Sequence, residues 1–222
     1  MEHNKLNDFE IEALEFMIPQ IEKMYNFEFE KDETYRVNNF EELCELIIEK
    51  INLKNVSSCT SQQAFYKLRN AFVATKIIAI ENLNLETELK LIFPKNNRKA
   101  LIKQLENKLA FKLDILKAPD SITTVLFAIG ILSFVSLFMY FTIGIIGITI
   151  SIIGFYLCKW FGNELKIKTV RTLVEKITNE NYLAVRTERD TINKTELKNI
   201  LTHWFSENSG IEKEKLKAAT FI

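Results

Sequence analysis

One stretch of the chain breaks the mixture of apolar and charged residues that is found elsewhere. From Ser121 to Cys158 there is no Asp, Glu, Lys, Arg or His. A bilayer core is roughly 30 Å thick and needs about 20 apolar residues per helix, whereas this stretch as a single helix would be roughly 57 Å long at ~1.5 Å per residue. One span would push about half of it into water, so the pattern predicts two transmembrane helices.

The predicted hairpin covers residues 119–161, with helices at about 122–140 and 143–160. We place the turn near residues 140–144, because Tyr140 suits a membrane interface and Gly144 can adopt a positive φ. Lys and Arg flank both ends of the hairpin and are absent from the turn. Since Lys and Arg mark the cytoplasmic side, we expect a multi-pass protein of the inner (cytoplasmic) membrane with both termini in the cytoplasm.

Small residues recur along both predicted helices, and such residues let helix backbones approach closely. The candidate transmembrane packing positions are Gly130, Ser133, Gly147, Ser151 and Gly154. They favour packing between the two helices of the hairpin, with self-association into an oligomer as the alternative. No charge marks an ion or proton path in the membrane, although a pore lined by Ser and Thr stays open.

Residues 1–118 are predicted to form a cytosolic helical domain, because helix breakers are rare and apolar residues recur at helical spacing. The expected helices cover residues 9–25, 40–53, 60–74, 85–92 and 98–116. Pro19 should break or kink the first one. Thr60 and Gln63 match a capping box, in which each side chain bonds the backbone N–H of the other residue.

The charge of this domain is divided unevenly. Residues 1–59 hold 14 acidic and 6 basic residues, whereas residues 60–117 hold 5 acidic and 11 basic residues. Short helices with a basic end are compatible with a helix-turn-helix whose phosphate contacts would be Arg69, Lys95, Arg98, Lys99 and Lys103. A basic segment directly before a membrane span instead meets anionic lipid, so nucleic acid is not an expected partner.

Residues 162–222 are predicted to form a cytosolic amphipathic helical tail, with helices at 165–177 and 195–207. Its apolar surface is too large for a solvated end, since fully burying one such side chain stabilises by roughly 1.5–3 kcal/mol. We therefore expect the tail to dock on the N-terminal domain, with a partner or a second copy as the alternatives. The docking residues would be Leu197, Leu201, Trp204, Phe205 and Phe221.

Part of this tail resembles the first helix and following loop of an acyl carrier protein. The resemblance is carried by Thr195-Glu196-Leu197, Ile200, Ser209-Gly210-Ile211, Glu214-Lys215-Leu216 and Ala219-Thr220-Phe221-Ile222. In that family an Asp-Ser-Leu follows, and its Ser carries phosphopantetheine. The sequence ends at Ile222, before any such Ser, so the resemblance implies a helix and a loop but no carrier activity.

The overall layout resembles uncharacterised bacterial membrane proteins with two transmembrane helices. The shared features are the Phe65-Tyr66-x-Leu68-Arg69 stretch, the helix at Arg98-Lys99, the hairpin and the tail. This resemblance implies the architecture and no activity. The fold class expected is mainly α, an integral membrane protein with a two-helix transmembrane hairpin flanked by cytosolic helical regions.

The sequence offers little chemistry. The three cysteines have no metal-site or disulfide spacing, and the two histidines, His3 and His203, belong to no catalytic set. No phosphate-binding glycine loop occurs, so we expect no enzymatic activity, cofactor or metal. The favoured function is a membrane-anchored adaptor of the bacterial inner membrane that binds a protein partner or itself. The alternative is a small membrane-disrupting or pore-forming effector with a cytosolic sensing domain.

Overall fold

The protein is mainly α, as predicted. A computed structural model describes residues 5–221, and within that range 65% of the residues are helical, in eleven α-helices and two short 3-10 helices, Thr34–Arg36 and Ile80–Asn82. The helices are α1 (Asp8–Tyr25), α2 (Phe40–Ile51), α3 (Thr60–Thr75), α4 (Leu89–Ile92), α5 (Arg98–Leu109), α6 (Asp120–Ser136), α7 (Phe141–Phe161), α8 (Val170–Glu180), α9 (Tyr182–Val185), α10 (Lys194–Ser209) and α11 (Lys213–Lys217).

Four two-residue strands join segments that are distant in the chain. They are β1 (Lys54–Asn55), β2 (Leu116–Lys117), β3 (Glu164–Leu165) and β4 (Thr191–Ile192). Strand β1 pairs in parallel with β4, and β2 pairs antiparallel with β3. The second pair closes the base of the segment that contains α6 and α7.

The chain divides into two compact units whose limits cross the predicted domains. Unit 1 consists of Met1–Phe65 and Ile177–Ile222, and unit 2 consists of Tyr66–Lys176. The predicted limits at 118/119 and 161/162 are therefore not limits of the compact units. Helix α3 begins in unit 1 and ends in unit 2, whereas α8 begins in unit 2 and ends in unit 1.

Unit 1 is built on the apolar faces of α1, α2 and α10. A complete capping box between Asn7 and Glu10 starts α1, and Asn26 ends it in the left-handed conformation. Helix α1 runs through Pro19 without ending, so the predicted break does not occur there. The fully buried core of this unit includes Leu6, Ile21, Phe40, Ile47, Leu197 and Phe205.

Unit 2 has its own buried core beneath the α6–α7 segment. Phe72 of α3 and Phe93 lie with ring centroids 6.1 Å apart, and both rings are inaccessible to solvent. Helix α5 ends at Leu109, earlier than the predicted residue 116. Ala110 takes the left-handed conformation, and the N–H of Leu113 then donates to the Glu106 carboxylate at 2.8 Å.

The two units repeat one structural plan. In unit 1, Asn39 and Thr220 form an antiparallel bridge directly before α2 begins. In unit 2, Glu88 and Thr169 form an antiparallel bridge directly before α8 begins. In each case the bridge joins a residue from the first half of the chain to a residue from the second half.

The turns that follow α1 and α5 are also alike. The N–H of Phe29 donates to the Glu22 carboxylate at 2.7 Å, across seven residues. The N–H of Leu113 donates to the Glu106 carboxylate in the same way, again across seven residues. Both turns follow a C-cap residue in the left-handed conformation.

The buried side chains of α10 and α3 complete the correspondence. In each helix a buried leucine is followed four residues later by a buried phenylalanine, and a further buried leucine lies eleven residues beyond, after the helix has ended. These residues are Leu201, Phe205 and Leu216 in unit 1, and Leu68, Phe72 and Leu83 in unit 2. In these bridges, turns and spacings, α1, α2 and α3 correspond to α5, α8 and α10. The α6–α7 segment lies between α5 and α8, whereas α1 and α2 are joined by residues 26–39, which include a short 3-10 helix, Thr34–Arg36.

The predicted capping box at the start of α3 is replaced by other bonds. The N–H of Thr60 donates to the Glu196 carboxylate at 3.0 Å, and the side-chain oxygen of Gln63 accepts from the N–H of Thr187 at 2.6 Å. These partners lie in the second half of the chain. No pattern local to residues 60–63 could indicate them.

Candidate membrane hairpin

Helices α6 and α7 form an antiparallel helical hairpin, with a turn at residues 137–140. At ~1.5 Å per residue they are roughly 26 and 32 Å long. The predicted turn at residues 140–144 is wrong by about one helical turn. Gly144 lies inside α7 and packs against Leu137, the residue that follows α6: a Cβ there would be 2.8 Å from the backbone nitrogen of Leu137. It serves close packing, and a positive φ is not involved.

The five predicted packing positions lie along the contact between α6 and α7. A Cβ added to Gly147 would lie 1.9 Å from the Ser133 hydroxyl oxygen. A Cβ on Gly130 would lie 3.1 Å from the Ser151 hydroxyl oxygen. A Cβ on Gly154 would lie 2.5 Å from the end of the Leu126 side chain. Small residues on each helix therefore allow the backbones to approach, which is the packing mode of membrane helices.

The outer surface of the hairpin is apolar on all sides. Within the described residues, α6 contains no buried residue, and large side chains such as Phe134 and Ile152 are 58% and 64% exposed. By length and composition, one described helix can cross a membrane: α7, over Phe141–Cys158. Only 11% of that window is buried, unlike the core helix of a soluble protein. Helix α6 is apolar but shorter.

Hydroxyl groups on the hairpin donate to backbone carbonyl oxygens. Thr124 bonds the Asp120 carbonyl at 2.8 Å, Thr149 bonds the Ile145 carbonyl at 2.8 Å, and Ser136 bonds the Ser133 carbonyl at 2.9 Å. Each of these three bonds joins two residues of the same helix, α6 or α7. In a hydrocarbon environment polar groups have no water to bond, so they must form their hydrogen bonds within the protein.

One hydroxyl links the two helices. The Ser151 hydroxyl, which is buried, donates to the Leu126 carbonyl oxygen at 2.8 Å. The bond satisfies a polar group that faces the partner helix and fixes the register of α7 on α6. Ser151 therefore contributes both small size and a hydrogen bond to the contact.

The base of the hairpin is held by buried polar contacts within unit 2. Gly162 lies against the backbone of Lys117, where a Cβ would be 2.6 Å from the carbonyl carbon. Arg98 is buried and donates to the carbonyl oxygens of Phe93 and Asn163. Its guanidinium is therefore engaged inside the protein, which removes it from the five phosphate contacts that a helix-turn-helix would need.

Basic and aromatic side chains surround this base. Lys99 Nζ donates to the Trp160 carbonyl oxygen at 3.2 Å and lies 5.8 Å from the centroid of the Phe161 ring. Lys117 pairs with Asp120 at 2.7 Å, at the start of α6. Trp and Lys at the ends of an apolar segment are typical of a membrane–water interface.

The predicted docking residues of the tail lie on the apolar side of α10 and at the chain's end in unit 1. Leu197, Leu201 and Phe205 are buried, whereas Trp204 and Phe221 are half-buried against the same core. The ring of Phe205 packs edge-on against Phe40 of α2, with centroids 5.4 Å apart. The contacts are with the N-terminal helices α1 and α2 of the same chain.

Sequence patterns did not indicate a buried arginine in unit 1. Arg186 donates to the hydroxyls of Thr60 at 2.6 Å, Ser58 at 2.9 Å and Thr191 at 3.1 Å. It is 5% exposed and its planar donors tie the segments before α3 and α10 together. The residue follows a short helix, α9, and lies between the two helices that were predicted for the tail.

Burial raises the pKa of Cys44 to about 12, so its thiol stays protonated and unreactive. His203 is half-buried on α10 and lies 3.4 Å from Glu207, and His3 lies outside the described residues. Among residues 5–221 no group of His, Cys, Asp and Glu side chains could hold a metal ion.

Comparison with known proteins returned no relative. The chain matches no protein-family model, no curated protein sequence and no solved structure.

Proposed function

We propose that the protein is a non-enzymatic membrane-anchored adaptor. In this proposal α6 and α7 cross the bacterial inner membrane as a hairpin, with both termini in the cytoplasm. The helical units carry the surface that binds a protein partner. The pore-forming effector stays the alternative.

The observation that carries the proposal is the exposure of an uncharged, apolar hairpin on all of its sides. A helix that is apolar around its whole circumference is stable inside a protein core or in lipid. The α7 window is only 11% buried, so its surface needs another apolar environment. The internal hydrogen bonds of Thr124, Thr149 and Ser151 support lipid as that environment.

The length of α6 is the tightest constraint. Its roughly 26 Å falls short of a ~30 Å hydrocarbon core. A short span is accommodated by local thinning of the bilayer and by interfacial anchors. Trp160 and Lys117 at the base and Tyr140 at the turn supply such anchors.

Membrane extraction tests the anchor. Membranes from cells that express the full chain are washed with alkaline carbonate, and we expect the protein to stay in the pellet. In a variant with Ile131→Arg and Phe134→Arg, two charges lie on the exposed face of α6, where each costs up to about 2.5–3.5 kcal/mol, the value for an Arg at a span centre. This variant should move to the supernatant, whereas Tyr66→Arg with Leu91→Arg, on exposed helix surface elsewhere, should not.

Recovery of the wild-type chain in the carbonate supernatant would refute the anchor. The same cells distinguish the alternative. The adaptor leaves growth and membrane potential unchanged on expression, and a loss of membrane potential that Ile131→Arg with Phe134→Arg abolishes would favour the effector instead.

A further inference from the structure

The two compact units differ in the sign of their charge. Unit 2 holds 16 basic and 8 acidic residues, whereas unit 1 holds 13 basic and 21 acidic residues. Unit 2 is also the unit that contains the apolar hairpin. The excess of positive charge therefore belongs to the unit that the proposed anchor holds at the membrane, where anionic phospholipids attract Lys and Arg.

Salt bridges neutralise only part of the positive charge of unit 2. Nearby carboxylates pair with one group of basic residues: Lys90, Lys117, Lys166 and Arg171. Lys95, Lys99 and Lys103 are exposed, and none of them forms an ion pair with a carboxylate of the described residues 5–221. Their charges are therefore available to an anion from outside the chain.

Lys99 is held at the base of the hairpin by two neutral groups. Its Nζ atom donates to the Trp160 carbonyl oxygen at 3.2 Å and lies 5.8 Å from the centroid of the Phe161 ring. Neither partner carries a charge, so the charge of Lys99 is not neutralised. Because an ammonium group has three donors, two remain after the bond to the carbonyl oxygen.

Lys95 and Lys103 precede and follow Lys99 by four residues each. The side chain of Asn163 donates to the Lys95 carbonyl oxygen at 2.9 Å, which ties the backbone of Lys95 to the segment that leaves the hairpin. Lys103 lies one helical turn after Lys99 on α5, and residues at this spacing lie on the same face of a helix. We define the basal patch as five residues: Lys95, Lys99, Lys103, Trp160 and Phe161.

The aromatic side chains set the depth of the basal patch. Trp160 and Phe161 are 71% and 72% exposed, and they are the last two residues of α7, just beyond the window that can cross a membrane. In a hairpin that crosses a membrane, a Trp in this position lies at the level of the lipid headgroups. Because Lys99 contacts both residues, its ammonium group then lies at that level too.

We propose that the basal patch binds the phosphate of anionic phospholipids and selects them over zwitterionic ones, whose own cation offsets the phosphate charge. The proposal rests on the proposed membrane anchor and names the class of lipid that surrounds its base. Nucleic acid also attracts basic residues but fits less well. The patch continues directly into the uncharged surface of α7, and the guanidinium of Arg98 is buried.

The test uses quenching of tryptophan fluorescence by brominated lipids. The chain has two tryptophans, so Trp204→Phe leaves only Trp160, in the patch. The full chain is reconstituted in phosphatidylcholine vesicles that contain the same mole fraction of brominated phosphatidylglycerol or of brominated phosphatidylcholine. One lysine near an anionic surface gives about a five-fold gain in binding, so phosphatidylglycerol should bind next to Trp160 at least about five-fold more tightly.

Substitutions of the three lysines test the source of this preference. Lys95→Gln with Lys99→Gln and Lys103→Gln should make the two brominated lipids equal quenchers. Arg at the same three positions keeps the charge and should keep the preference, which separates a loss of charge from a loss of structure.

A matched variant separates the patch from the net charge of the chain. Lys31→Gln with Lys54→Gln and Lys217→Gln removes the same charge from exposed positions of unit 1 and should keep the preference. If this variant loses the preference as fully as the patch variant does, net charge is the cause and the proposal is overturned.

The quenching also separates failure of the patch from failure of the anchor. Equal quenching of Trp160 by the two lipids in the unsubstituted patch would overturn the proposal and leave the anchor in place, because Trp160 would still contact the bilayer. Quenching by neither lipid would overturn the anchor and the patch together. Equal quenching, combined with binding of a labelled DNA duplex that the Gln substitutions abolish, would assign the patch to nucleic acid instead.

Discussion

Substitution of Phe205 by Ala tests whether α10 is seated in unit 1 as described. The ring is inaccessible to solvent and lies edge-on against Phe40 at 5.4 Å and against Trp204 at 5.2 Å. Replacing a fully buried Phe by Ala costs about 3–5 kcal/mol, from lost transfer energy and the cavity left behind. At about 2–4 °C per kcal/mol for a chain of this size, the melting temperature should fall by roughly 6–20 °C.

The assay is thermal unfolding of the detergent-solubilised chain, with hydrogen exchange followed by mass spectrometry to locate the effect. Exchange should accelerate in α1, α2 and α10. The control is Phe16→Ala, the same chemical change at a residue that is 77% exposed on α1, and it should cost less than about 0.5 kcal/mol. If both variants unfold at the wild-type temperature, α10 is not packed on α1 and α2.

Three further predictions follow from single contacts. Gly147→Ala should destabilise the hairpin by about 1–3 kcal/mol, because the added methyl group would lie 1.9 Å from the Ser133 hydroxyl oxygen of α6. Gly154→Ala should cost less in the same detergent-unfolding assay, because its methyl group would meet only the tip of a leucine side chain. A maleimide should label exposed Cys59 in the native protein and leave Cys44 unlabelled until the protein unfolds, because burial raises the pKa of Cys44 to about 12. Equal labelling of the two residues would contradict the burial of Cys44 in the core of unit 1. A hydrogen bond from Lys215 of α11 lowers the pKa of the Glu10 carboxyl from its ordinary value. The stabilisation by this pair is therefore present above the ordinary carboxyl pKa and is lost as the pH falls through the lowered pKa. Glu10→Gln should reduce the loss of thermal stability in acid, and an unchanged pH profile would show that the pair does not stabilise the fold.

Local patterns predicted the helices well where one apolar face is buried. The pattern predicts a helix over Phe40–Leu53, and α2 covers Phe40–Ile51. The uncharged stretch predicts a hairpin of two helices, and α6 and α7 have that arrangement. Helix ends were predicted less well, because they depend on caps such as Ala110, whose left-handed conformation no propensity indicates.

Long-range features could not be predicted from local patterns. The bonds of Arg186 reach hydroxyls more than a hundred residues away, and no spacing rule connects such positions. The correspondence between the two halves is hidden for a related reason: they share burial positions and turn geometry but few residue identities, and the hairpin lengthens the second half. The bridges at Thr220 and Glu88, the matched turns and the equal spacing of buried residues in α3 and α10 show that the halves correspond.

Membrane topology is the most direct test of the account. Thr142 lies at the exposed tip of the hairpin, and Cys59 lies exposed in unit 1. In spheroplasts that express Thr142→Cys with Cys44→Ala and Cys158→Ala, a membrane-impermeant maleimide should label residue 142 from outside and should label Cys59 only after permeabilisation. Protection of residue 142 until permeabilisation, or labelling of Cys59 in intact spheroplasts, would contradict a hairpin that crosses the membrane with both termini in the cytoplasm.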